Sequence, residues 1–420
     1  MEGSLNSYRS SILQVFAGVL VFAAIAAGLT WGNFRYAEQN PGGNDFLVHW
    51  VGTRAFFIHG QSPYSDEVAL QIQTAAYGRP AKPGEHELRV AYPLYSTLIF
   101  APFALIKDFT LARAVWMTTL EIALGLIAFL CLQLTHWKPG LGMLAAYVMF
   151  IFLFYHSVRA IINGNAVTLV TLFILLSFVC IREKRDELAG LFLGLATIKP
   201  QLVLLLIGFI CLWAFSKKRY LLIGWIVGTV VLLSAAGMLF IPDWILQNLR
   251  EVIRYPSYNP PGTPGAALAV WFPAVGRQMG WVLTFVLAVI LLLEWLSAQG
   301  KEIRHFLWTA SLTLVISQWI GIQTDPGNFI VLILPLVLIF SNWIERWKTA
   351  GTVVTLASML ILLVGIWALF LRTLQHGAQP VQSPIMFFPL PLFLLMGMYW
   401  VRWWSVQPPS LWGELIHESG

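Results

Sequence analysis

Charge is what this chain has least of. Charged residues make up 11 % of its 420 positions, against about 25 % in an ordinary soluble domain. No polar stretch is long enough to enclose a core of its own, which excludes a water-soluble domain. No run of Lys and Arg exceeds three residues, so the net charge of +6 comes from short basic loops and offers no surface for nucleic acid. Cysteine is scarce: Cys131, Cys180 and Cys211 all lie inside apolar runs, which argues against a disulfide framework or a metal cluster. There is no low-complexity linker and no visible internal repeat. The second absence counts against an inverted-repeat transporter.

What is present is apolar. Hydrophobic residues make up 58 % of the chain and its mean hydropathy is +0.72. Apolar runs of roughly 15–25 residues recur along nearly the whole length, the pattern of an all-α polytopic membrane protein. The first run, about 11–31, lacks a cleavage site and a strongly basic flank, so it reads as a retained span that doubles as the targeting signal. Basic loops at 136–138, 182–185, 217–219, 301–304 and 346–348 belong in the cytoplasm by the positive-inside rule. Parity then makes 89–106 a segment that dips into the membrane rather than crossing it. It also turns 188–215 into two half-depth helices hinged at Lys199-Pro200, because Pro200 disfavours helical geometry at Lys199. The other spans fall at about 110–134, 140–156, 166–181, 221–241, 278–296, 306–322, 329–343, 350–371 and 385–401. The expectation is about twelve spans, with outer loops at 32–109 and 242–277. In the second loop, 243–255 reads as an amphipathic helix carrying Arg250 and Arg254. The proline-rich 256–265 reads as non-helical.

The polar residues that need explaining gather on the outer side. The stretch GNDFLVHWVGTRAFFIHGQSPY, 43–64, carries Asp45, His49, Arg54, His59 and Tyr64 in otherwise apolar surroundings. As a helix it puts Asp45, His49, Gly52 and Phe56 on one face, with Gly60 and Pro63 as the stop. Asp45 is either a general base for an acceptor hydroxyl or a helix N-cap. His49 is either its partner or structural. The two have no third ligand nearby, so no metal site is expected. Arg89, beside the dipping segment, is the best-placed cation for an anionic headgroup. Tyr92-Pro93 reads as the start of that segment's helix. Asn163-Gly164-Asn165 is either a cap or a contact to phosphate or sugar. Lys199, flanked by apolar half-helices, needs an anion or water, and a lipid-linked phosphate would serve. Asp325 is a further outer acid, either a substrate contact or a cap.

The order GNDF, GQSPY, AYPL, APFALI, then INGNAVTL, then AGLFLGLATIKPQ with a basic loop after it resembles the GT-C superfamily of membrane glycosyltransferases. The likeness is greatest to glycosyltransferase family 87, which includes polyprenyl-phosphomannose-dependent mannosyltransferases, and it covers roughly 10–220. The resemblance implies a GT-C-like bundle with juxtamembrane helices in the first outer loop, a catalytic half at 10–220 and C-terminal helices at 221–420. It makes Asp45 the base and sets Tyr64, Tyr92, Asn165 and Lys199 around donor or acceptor. The implied reaction moves a mannose-like hexose from a polyprenyl-phosphate donor to a lipid or glycan acceptor by one inverting displacement, with no cofactor. Lys199, helped by Arg89 or Arg159, would steady the departing phosphate. The implied setting is a bacterial plasma membrane, with the site facing away from the cytoplasm. Two departures stand out: Leu94 replaces a second proline after Tyr-Pro, and no histidine sits beside Asp325. A transporter or flippase of a lipid-linked sugar would use the same cavity but prefers repeated halves. A polymerase or ligase of the O-antigen type would want its large outer loop late in the chain.

Overall fold

The chain breaks into helices where Gly, Pro and capping side chains dictate. The computed structural model describes residues 2–258, 262–320, 325–374 and 382–406, and every regular element among them is helical. α1 (Glu2–Gln39) is one long apolar helix. α2 (Asn44–His59) follows Gly43 and stops at Gly60, both left-handed. α3 (Asp66–Tyr77) starts at Ser65, whose side chain accepts from Val68 N. A 3-10 turn, Leu94–Ser96, leads into α4 (Thr97–Ala104). α5 (Phe109–Leu134) is capped by Asp108. α6 (Leu141–Leu153) and α7 (Tyr155–Asn163) meet at a 45° bend. Then come α8 (Val167–Arg182), α9 (Asp186–Ala196), α10 (Pro200–Ser216) and α11 (Tyr220–Met238). Loop helices α12 (Trp244–Tyr258) and α13 (Pro264–Trp271) precede α14 (Gly276–Ser297) and α15 (Ile303–Ser317). A 3-10 stretch, Pro326–Leu332, runs into α16 (Ile333–Trp347), and α17 (Thr349–Thr373) and α18 (Pro389–Val406) close the described chain.

This is an all-α polytopic membrane bundle with fewer full spans than the twelve expected. Seven helices among the described residues are long and apolar enough to cross a bilayer, or eight if the bent α6–α7 pair is one span. The difference is one of length. α8 and α15 have 16 and 15 residues, and at 1.5 Å per residue 16 residues reach only about 24 Å of a ~30 Å core; α9 and α10, of 11 and 17 residues, are the two short helices expected on either side of Lys199-Pro200. The segment ahead of α5 is short as well: Leu94–Ala104 cannot cross, in keeping with the dipping assignment. The break at Lys199 is present, with Pro200 at the first position of α10. In the loop after α11 the expected helix at 243–255 is present, but the stretch 256–265 differs from expectation. α12 continues through Pro256 to Tyr258, and Pro264 begins α13. Pro256, near the end of α12, costs that helix one backbone hydrogen bond, whereas Pro264 stands at the favoured start of α13. Residues 259–261 of that segment, and 321–324 before Asp325, lie outside the described residues.

α15 from His305 onward and α16 up to Trp343 are buried on all sides, while α1, α14 and α17 turn Phe16, Phe285 and Ile361 outward at 60, 70 and 68 % exposure. In a chain this apolar, such surface belongs against lipid. Between helices, small residues allow close approach. A Cβ at Gly190 would sit 2.4 Å from Trp225 Cβ, and one at Gly194 2.5 Å from Thr229 Cγ2, so α9 and α11 pack backbone to side chain. Gly190→Val is expected to force these helices apart, costing about 1–3 kcal/mol and lowering the melting temperature in detergent, whereas Gly224→Ala, open on that side, should leave it unchanged.

The basic loops converge on one end. Arg182 Nη1 donates to Gln133 O, Arg219 grips Asp186, Lys217 Nζ reaches Glu302 Oε1, Arg304 donates to Trp404 O, and Arg346 lies over the Trp404 ring. α8 and α10 rise from that end to Asn165 and Lys199 at the other.

Candidate active site

Asp45 is placed by its neighbours' packing. Gly43 has φ +77°, and a Cβ there would lie 2.5 Å from Arg113 Nε. Only glycine takes this backbone without cost and leaves room for the buried Arg113. That guanidinium ties the end of α1 to the end of α7, donating to Asn40 O (2.7 Å) and Ile162 O (3.1 Å). Phe46 stacks on Trp116, and Trp116 Nε1 donates to Gly164 O at 2.8 Å. Gly164, at φ +70°, has no room for a side chain, because its Cβ would fall 2.5 Å from Phe46 Cβ. The two glycines therefore press the start of α2 against the α7–α8 turn, which brings Asp45 beside Asn165. The capping alternative for Asp45 does not hold, since Gly43 is the N-cap and Asp45 is the second helical residue.

Lys199 enters the same cluster from the α9–α10 break. The residue is 3 % exposed, and its ammonium donates to Asn165 Oδ1 and Asn328 Oδ1, each at 2.6 Å. It lies 5.4 Å from the Tyr92 ring centroid. Asn165 Oδ1 also accepts from Val167 N at the start of α8, and its amide faces the Asp45 carboxylate. Asp45 itself is half-buried. Burial pushes its carboxyl above the ordinary 3.8; the charge of Lys199 opposes that, Asp325 adds to it, and Arg159 and Asn165 pull it back down. Two neutral amides thus hold the cation, while two carboxylates act on it through space rather than through direct ion pairs.

The other expected residues divide by position. Tyr92 is in the cluster, and Tyr64 supports it by donating its hydroxyl to Tyr92 O at 2.8 Å. His49 does not pair with Asp45. Its ring is held between Tyr92 (4.0 Å) and Phe100 (4.5 Å, stacked), and burial, with Lys199 adding to it, lowers its pKa to about 3, so it is neutral. Asp325 caps the following turn through Gly327 N, yet stays within electrostatic reach of Asp45. Arg159 shares that reach and faces the Gln382 amide together with Tyr155. Arg89 is not free for a headgroup: it is buried, with Nε on Glu251 (2.6 Å) and Nη2 on Asp66 (2.7 Å). Arg54 lies elsewhere, closing the end of α4 through Ala104 O and Ile106 O. Asn163 ends α7 and makes no side-chain hydrogen bond among the described residues.

Sequence reading missed Asn328, Arg113 and His156, and of α12, a helix it expected at 243–255, it missed the contacts. Asn328 stands three residues after Asp325, and the DPGN turn was a usable signal. The others carry none: His156 binds Pro326 O at 2.7 Å, and Asn248 of α12 donates to Ala91 O and Tyr92 O. No group of three or more metal-binding side chains occurs among the described residues.

Neither the curated proteins nor the solved structures contain a match to this chain. The model of glycosyltransferase family 87 does match, over residues 91–317. That range holds Tyr92, Asn165 and Lys199, whereas Asp45, Asp325 and Asn328 reach the cluster from outside it. With more than half of its length matched, this membrane bundle belongs to glycosyltransferase family 87, within the GT-C superfamily.

Proposed function

We propose that the chain is an inverting glycosyltransferase that moves a mannose-like hexose from a polyprenyl-phosphate donor to a hydroxyl of a lipid or glycan acceptor. The observation that carries this reading is the meeting of Asp45 and Lys199 around one amide, Asn165. In the step proposed, Asp45 takes the proton of the acceptor hydroxyl. The freed oxygen pair attacks the anomeric carbon from the face opposite the phosphate. The bond from that carbon to the phosphate oxygen breaks, and polyprenyl phosphate leaves with the electron pair. Lys199 steadies the growing phosphate charge from a buried site, where such help is strongest, and Asn165 and Asn328 hold the ammonium in place. Residues 10–220 supply base and cation, and 221–420 supply Asn328, Asp325 and the cover of α12. The gathering of the basic loops at the opposite end supports a site facing away from the cytoplasm, in a bacterial plasma membrane.

The test is turnover in lipid nanodiscs with a panel of labelled polyprenyl-phosphate sugars and added acceptors. Release of free polyprenyl phosphate that depends on acceptor supports the reading. Tight donor binding with no release, across every sugar and acceptor tried, turns the reading to a lipid-linked-sugar transporter. A pH profile adds a second check. A base works only when deprotonated, so activity falls as pH drops through its pKa. Because burial raises the Asp45 carboxyl, the acidic limb of kcat/KM is expected above the ordinary aspartate value of 3.8; a limb at or below that value contradicts Asp45 as base.

A further inference from the structure

α12 is amphipathic in the inverse sense. A helix on a water-facing loop turns its apolar stripe to the core and its polar side outward; α12 does the opposite. Its polar residues point inward. Gln247 Oε1 accepts from Ser62 Oγ at 2.6 Å, Asn248 Nδ2 donates to Ala91 O and Tyr92 O, Glu251 holds Arg89, and Arg254 pairs with Glu87. Half a turn away, Ile245, Leu246, Leu249 and Ile253 make up the outer face, the last three being 58, 50 and 70 % exposed. Arg250 stands at the edge of that face, exposed and without an ion pair among the described residues.

The course of the chain says what covers this face. α11 is long and apolar enough to span the membrane and turns Val231 and Leu232 outward. Its apolar surface continues past the helix end, where Leu239 and Phe240 are 83 and 72 % exposed. Only residues 239–243 separate α11 from α12. Trp244 then folds back on the span. Its Nε1 donates to Ser234 O at 3.1 Å, and it packs on Gly237, where a Cβ would lie 2.8 Å from that nitrogen. The first turn of α12 is thus pinned to the last turn of a span, at the depth where hydrocarbon gives way to headgroups. Phe240 also meets Phe56 edge to face, with ring centroids 5.8 Å apart, and Phe57 and Ile58 beside it are exposed. One apolar surface therefore runs from the lipid-facing side of α11 onto α2 and α12. In water such a patch would be a liability. At the membrane boundary its apolar side chains enter lipid, and an arginine at its edge reaches the phosphates.

We propose that the outer face of α12 is a membrane-docking surface, with Leu246, Leu249 and Ile253 in the acyl–headgroup boundary of the leaflet beside the site and Arg250 on lipid phosphate. The bilayer then holds the polar face of α12 on residues 87–92. The experiment is spin labelling of the full chain in nanodiscs of phosphatidylethanolamine and phosphatidylglycerol. The native Cys131, Cys180 and Cys211 are replaced by alanine, and a nitroxide is placed in turn on Leu249→Cys, Ile253→Cys and, as the water reference, Lys82→Cys at an exposed loop position. Power saturation compares collisions with oxygen, which concentrates in lipid, and with a water-soluble nickel chelate. Oxygen is expected to dominate at 249 and 253, and nickel at 82. Nickel dominance at 249 and 253 puts the face in water, and exclusion of both probes puts it against a second protein chain; either result overturns the proposal. A second measurement is amide hydrogen exchange in the double variant Leu249→Glu, Ile253→Glu, which changes only outward side chains. Exchange in α12 is expected to rise about tenfold or more, as for a locally released helix, with α16 unchanged. Unchanged exchange in α12 overturns the proposal, and if the double variant fails to fold the labels decide alone. The labels report depth with no substrate present, so this surface stands or falls apart from the transferase reading.

Discussion

Asp45→Asn is expected to lower kcat about 10³-fold or more while leaving the fold intact, the upper part of the range for a lost general base, or about 4 kcal/mol of barrier. The amide has the size of the carboxylate and can still meet the Asn165 side chain, so melting temperature and elution profile should match wild type. No neighbour is placed to take over. His49 is clamped between two rings and kept neutral, its pKa near 3. Asp325 has one oxygen committed to Gly327 N. The measurement is single-turnover transfer at saturating donor, which separates chemistry from binding. A variant that keeps a tenth of the wild-type rate would pass the base role to another group, and Asp325→Asn would then be the next variant to make.

Lys199→Gln carries the second largest expected effect, a loss of about 10²–10³ in kcat, as for removal of one preorganised donor to a developing anion. Glutamine rather than methionine isolates the charge. Its amide N–H groups can still donate to Asn165 Oδ1 and Asn328 Oδ1, so the buried acceptors are not orphaned. The variant has a second signature with a fixed sign. The Lys199 charge lowers the Asp45 carboxyl. Without it that carboxyl rises, and the acidic limb of the residual activity must move to higher pH. A merely structural lysine would lower expression or melting temperature and leave the limb where it was. Full activity in Lys199→Gln would remove the cation from the mechanism.

The two variants mark where sequence reading reached and where it stopped. Asp45 and Lys199, which the fold brings to one cluster, stood out in the sequence because an ionisable side chain in an apolar run has few cheap explanations. Arg89 was misleading for the same reason. It stands beside an apolar segment like a headgroup contact, but its partners, Glu251 and Asp66, lie 162 and 23 residues away. Arg54, a substrate-binding candidate because it shares the polar stretch with Asp45, is carried round by the turns of α2 to the end of α4. Seven or eight helices among the described residues, not twelve, have spanning length, because hydropathy marks an apolar segment without fixing its helical length. α8 and α15 are apolar, but they stop at 16 and 15 residues.

Composition and pattern by themselves determined the class, a polytopic helical membrane protein. Motif order indicated the family, and local chemistry fixed the breaks at Gly43, Gly60 and Lys199-Pro200, since these depend only on backbone preference and hydropathy. The tertiary structure decided which polar residues meet. Asn328 joins Asn165 on Lys199 across 163 residues of sequence, and Gly164 brings α2 to Asn165 because no side chain stands between them. It also decided that α12 covers the loop side, through Asn248 on the Tyr92 carbonyl and Glu251 on Arg89. Contacts of that separation depend on how the whole bundle packs, and no local pattern encodes them.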